Sequence, residues 1–149
     1  MSAAGSRLPI GPLIDKMLAV VELRRSMSDH LSLRVLPHLD GAAHDGVAAL
    51  LVLLRNGDAI MADLACCLDN VMADVRAAIS AGTREERVEI DPRRLVGCTE
   101  AHDKRRVRSP AAEALHDALP LLERLARATH EALDYAEAVR ISQAMMTVD

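Results

Sequence analysis

Six histidines, three cysteines and 22 acidic side chains are the groups in this 149-residue chain with the chemistry to ligate a metal or attack a substrate. Helical di-metal proteins place two Glu-x-x-His pairs on facing helices. Here one such string occurs, Glu113-Ala-Leu-His116, and no second. At helical spacing His116 shares a side with Glu123, Arg127, His130 and Asp134, opposite Leu115, Leu122 and Leu133. A stripe of that composition reads as a solvated face. His30, His38, His44 and His102 sit in different segments without ligand spacing, so they could join a site only if the fold converges them. No metal ligand and no cofactor is therefore assigned. A metal-binding helical bundle, or an enzyme built on one, remains the alternative to a non-enzymatic reading.

The cysteines carry no redox signature. Cys66 and Cys67 are adjacent, and a disulfide between neighbours is strained and incompatible with a helix. Asp63 and Asp74, near Cys67 on a helix, should raise its pKa and weaken it as a nucleophile. Cys98 stands beside Thr99 and Glu100 with His102 four residues on, which is short of a triad. All three read as small apolar residues. There is no glycine-rich phosphate loop and no Gly-x-Ser-x-Gly elbow.

One local charge cluster stands out. Lys104-Arg105-Arg106 and Arg108, with Arg93 and Arg94 upstream, form a candidate polyanion contact for a nucleic-acid accessory protein. Against it stand a net charge of −4, nearly balancing acids in the same segment, and no interleaved aromatics for base stacking. Nucleic acid is the disfavoured partner.

The elements that must position these groups are helical. The chain has no Phe, no Trp and one Tyr, Tyr135, so Leu, Ala, Val, Met and Ile must fill the core. Those residues favour helices over sheets. Residues 1–11 read as a flexible arm. Pro12 suits a first helical position, and Leu13, Met17, Val20, Val21, Met27, Leu31 and Val35 recur at three- and four-residue steps. Asp15, Glu22, Arg25, Ser28, Asp29 and Ser32 take the other side. The first helix thus spans about 12–36, ending before Pro37.

A second helix is expected over 42–80. Asn56-Gly57-Asp58 is a turn by its local chemistry, with Asp58 as a cap. The stripe Val47, Leu50, Leu54, Met61, Leu64, Leu68, Val71, Val75 and Ile79 nevertheless keeps phase across it, which favours one long helix bent at Gly57. Residues 83–109 hold eight Lys or Arg and six Asp or Glu and read as a charged loop. Thr83-x-x-Glu86 there resembles a capping box. Val88-Glu89-Ile90 alternates like a strand but has no evident partner, so no strand is expected. The last helix spans about 110–146 and buries Leu115, Leu119, Leu122, Ala126, Leu133 and Ala136. Pro120 either kinks it or marks its true start at Leu119. The expected fold is a single all-α domain over 1–149, an up-down-up bundle of three long helices completed by self-association.

The feature left unexplained is the back of the second helix. Ala59, Ala62, Cys66, Ala73 and Ala77, with Asp69 and Asn70 between them, line one face nearly bare of long side chains. Small residues let another helix approach closely. That face is either an intrachain seam, an ordinary alanine-rich surface, or the interface of a homodimer or higher oligomer. The expected function is a helical adaptor that self-associates and binds a further protein. No apolar stretch is long enough to span a bilayer and the first residues lack a signal-peptide pattern, so a cytoplasmic location with free thiols is expected.

Overall fold

A computed structural model describes residues 7–89 and 102–146, with side chains placed for 7–86 and 105–146. The class is all-α, with four α-helices and one small two-stranded sheet among the described residues. Helix α1 (Gly11–His30) runs into a π-helical turn (Leu31–Val35) and a 3-10 turn (Leu36–His38). Pro37 lies in that last turn, as the sequence implied. Helices α2 (Gly41–Arg55) and α3 (Met61–Ala81) follow, then strands β1 (Thr83–Glu89) and β2 (His102–Arg108), then α4 (Pro110–Met146).

The expected continuous helix over 42–80 is two helices. Asn56 leaves helical geometry at φ −85°, ψ 106°, and its side-chain oxygen accepts the Asp58 amide at 3.0 Å. Such an Asx turn offers the backbone an alternative to helix continuation. Arg24 of α1 reinforces the break: its Nη2 donates to the carbonyls of Leu53 (3.3 Å), Leu54 (3.1 Å) and Asn56 (2.7 Å). Terminal carbonyls have no partner within the helix, so a guanidinium that collects them fixes where α2 stops. The stripe keeps its phase because both helices face one core, and Leu54 and Met61 are seven residues, or two turns, apart.

The expected charged loop at 83–109 is replaced over its described parts by an antiparallel hairpin. Glu85 stands opposite Arg106, Glu86 opposite Arg105 and Arg87 opposite Lys104. Val88 and Glu89, expected outside any strand, are in β1. The partner strand was hidden because both strands are mostly charged, with Val88 and Val107 as their only aliphatic residues. Cross-strand opposite charges favour the pairing. Ser109 donates its amide to the Gly82 carbonyl at 2.8 Å and closes the base. Ile90 lies outside the described residues.

α4 is unbroken through Pro120, so it does not restart at Leu119. It is the spine of the bundle. Arg76 meets Glu123 at 3.2 Å and Asp69 meets His130 at 3.1 Å, which sets α3 antiparallel to α4. Tyr135 Oη donates to the Pro9 carbonyl at 2.7 Å and the Leu8 amide to Ser142 Oγ at 3.2 Å, which sets α1 antiparallel to α4. α2 packs between α1 and α3, so the helices form an antiparallel square rather than three members. The core runs down the middle through Val20, Met27 and Leu31, Leu50, Leu64 and Leu68, and Leu122 and Leu125. Thr129, fully buried, satisfies its hydroxyl on the Leu125 carbonyl at 2.7 Å.

Candidate interaction site

The square is incomplete at one end, because α2 is 15 residues long and α4 is 37. At 1.5 Å per residue these are about 22 Å and about 55 Å. The side of α1 that meets α2 carries Arg24 and Ser28, the latter buried and accepting Arg55 Nε at 3.0 Å. Continuing that side towards the start of α1, at helical spacing, come Val21, Met17, Ile14 and Ile10. Beyond Arg55 no α2 residue remains to cover them. Val21 is 48 % exposed, Met17 44 %, Ile14 51 % and Ile10 51 %, with Leu18 beside them at 57 %. A cleft of about 360 Å³ walled by Val21, Leu54 and Arg55 marks where the covered part ends.

Val21 and Met17 were expected in the core and are instead half uncovered, because the helix that would bury them stops short. Ile10, Ile14 and Leu18 were missed altogether. Their four-residue spacing was readable, since a helix with an apolar second side needs a second partner. The flanks carry both signs of charge, with Asp15, Lys16, Glu22 and Arg25 in the same stretch.

The small-residue face of α3 is open. Ala62, Cys66, Asp69, Asn70, Ala73 and Ala77 are all exposed, and among the described residues Asp69 alone of these meets another helix, through His130 of α4. Ala59 is half-buried in the connection before α3 rather than on the helix. Asp69 is taken up with His130, and Asn70 Nδ2 approaches Cys66 Sγ at 3.8 Å. Cys67 is half-buried, and its thiol pKa is raised, first by burial and then by neighbouring Cys66. The direction matches expectation, whereas the cause is desolvation rather than Asp63 and Asp74. Cys98 lies outside the described residues.

The basic run is distributed rather than concentrated. Arg105 meets Glu86 at 3.7 Å and Arg108 meets Glu113 at 3.4 Å, while Arg106 is exposed opposite Glu85. Successive strand residues point to opposite faces, so Arg105 and Arg106 do not share one. Arg93 and Arg94 lie outside the described residues, as does the side chain of Lys104.

Metal-ligating side chains gather at the other end of the bundle. Ligand atoms of Glu113, His116 and Asp117 lie within 4.8 Å of one another, all three exposed. His30 and His38 line a cleft with Glu113 and Asp117, a convergence invisible in the spacing. No protein-family model, no curated protein and no solved structure matches the chain. Function must be argued from these surfaces. Among the described residues no helix is long and apolar enough to cross a membrane.

Proposed function

We propose that this protein is a non-enzymatic helical interaction module that self-associates, with the uncovered side of α1 as the contact. The observation that carries the reading is that the α2-facing side of α1 continues past the end of α2 as Val21, Met17, Ile14 and Ile10, about half exposed each. With Leu18 these residues expose roughly 450 Å² of surface, within the ~300–600 Å² typical of a monomer's largest apolar patch. A two-fold pair would bury about twice that, about 900 Å², and the flanking rim would carry it to the ~1,000 Å² that a specific interface needs.

A second copy is the occupant this surface fits best. A single helix crossing its own copy about a two-fold axis is self-complementary by construction. The mixed charges of Asp15, Lys16, Glu22 and Arg25 put no single-sign barrier around the contact. The small-residue face of α3 is the second surface available, for the further protein partner or for higher assembly. It offers alanine methyls in place of large side chains, so its burial would contribute less per residue.

The test is proximity between copies. In a cysteine-free background, Leu18→Cys should form an interchain disulfide on mild oxidation, because a helix pair crossing at this face brings the two positions together. Ala73→Cys should not form one through the same contact. Rapid cross-linking at Ala73→Cys, with none at any of Leu18, Met17 or Ile14 replaced singly by Cys, would move the interface to α3.

A further inference from the structure

We propose that the cleft between the second half of α1 and the end of α2 binds a small organic phosphate, held by Arg25 and Arg55 with the charge of Arg24 in support. This goes beyond self-association and does not rest on it, although Val21 belongs to both surfaces. The cleft of about 360 Å³ brings Arg24 and Arg25 of α1 together with Arg55 of α2, and Asp29 is the one acid on its wall. Such a volume falls within the ~300–1,000 Å³ of small-molecule sites.

Among the described residues no carboxylate pairs with any of the three arginines, not even Asp29, one turn from Arg25. Three positive charges exceed that carboxylate and the roughly half negative charge carried by a helix C-terminus. In a chain of net charge −4, a local surplus of this sign attracts an anion. Arg24 commits Nη2 to the last carbonyls of α2, while its Nε is buried without a hydrogen-bond partner. Buried polar atoms ordinarily have one. Ser28, only 6 % exposed, accepts Arg55 Nε at 3.0 Å. That bond fixes the guanidinium by one edge and leaves both Nη groups for another acceptor. Ser28 is therefore a positioning residue, acting through Arg55.

Planar guanidinium forks match the paired oxygens of carboxylate and phosphate. A phosphoryl group suits this cleft better than a carboxylate, because it carries up to two negative charges and three strong acceptor oxygens. Leu54, 5 % exposed, and Val21 give the same cleft an apolar wall. A free ion would leave that wall wet, whereas an organic substituent on the phosphate would cover it.

Phenyl phosphate titrated calorimetrically into the full-length protein at fixed ionic strength tests this, with inorganic phosphate as a second titrant. One phenyl phosphate per chain should bind saturably, and more tightly than the inorganic ion. Arg25→Gln and Arg55→Gln should each weaken it about tenfold or more, the scale of one lost charge-assisted hydrogen bond. Arg76→Gln, which removes the surface partner of Glu123, should leave the affinity within twofold. Leu18→Glu, which breaks the self-association contact, should still bind, so that either reading can fail alone. Circular dichroism shows whether each variant keeps its fold, and exposed Arg25 decides the matter if Arg55→Gln does not. Equal affinity for the inorganic ion would overturn the part assigned to Val21 and Leu54. No saturable binding of either titrant, or binding unchanged in folded Arg25→Gln, overturns the proposal.

Discussion

Arg24→Met isolates the device that ends α2 where it does. One guanidinium nitrogen reaches the carbonyls of Leu53, Leu54 and Asn56, at 3.3, 3.1 and 2.7 Å. Its two protons serve three acceptors, so at most two full bonds form, each charge-assisted and worth about 1.5–3 kcal/mol. Against that stands Arg24 Nε, buried with no partner, whose desolvation costs about 1–3 kcal/mol and disappears in methionine. Methionine also keeps the apolar stem. The net loss is then about 2 kcal/mol, which for a chain of this length lowers Tm by about 4–8 °C. Helicity at 222 nm should barely change, since α2 and α3 remain and only their corner loosens. Thermal denaturation followed by circular dichroism reads this. A variant melting within about 1 °C of the parent would show that the Asn56 turn ends α2 without help from α1.

Gly82→Ala should destabilise the junction of α3, the hairpin and α4. A Cβ there would lie 2.7 Å from Ala112 Cβ, 2.8 Å from Ser109 Oγ and 3.3 Å from the Ala78 carbonyl, and none of these is the end of a flexible chain. The expected cost is about 1–3 kcal/mol, seen as a lower urea midpoint at unchanged slope; an unchanged midpoint would contradict the packing argument. Thiol labelling mapped by mass spectrometry should modify exposed Cys66 well before half-buried Cys67 at neutral pH, because burial raises the Cys67 pKa above its ordinary 9.0. The folded state holds that proton more tightly than the unfolded chain does, so its contribution to stability is present below pH 9 and is lost as pH rises beyond it. Equal labelling rates for the two thiols would refute the assigned cause.

The helices were legible where apolar residues repeat at helical spacing, as along α4 from Leu115 to Leu133. Two errors have different origins. The break at Asn56 was signalled by the local turn chemistry of Asn56-Gly57-Asp58 and was overridden by the unbroken apolar stripe, while the Arg24 contact that reinforces it lies 32 residues earlier. The hairpin depends on pairing 83–89 with 102–108, which no local window contains. Val21 and Met17 were assigned to the core because periodicity says which side is apolar, not whether another helix is long enough to cover it. The uncovered side of α1 could have been suspected from Ile10, Ile14 and Leu18. The gathering of His30 and His38 opposite Glu113 could not, because it follows from α1 and α4 running antiparallel.

Sedimentation equilibrium over a hundredfold range of concentration bears most directly on self-association through α1. The parent protein should shift from monomer to dimer, and Leu18→Glu should remain monomeric at every concentration and melt as the parent does at concentrations where the parent is monomeric, since Leu18 is 57 % exposed. Ala73→Glu on α3 should dimerise as the parent does. A parent that stays monomeric throughout, or a dimer that Leu18→Glu leaves intact and Ala73→Glu abolishes, would contradict the account.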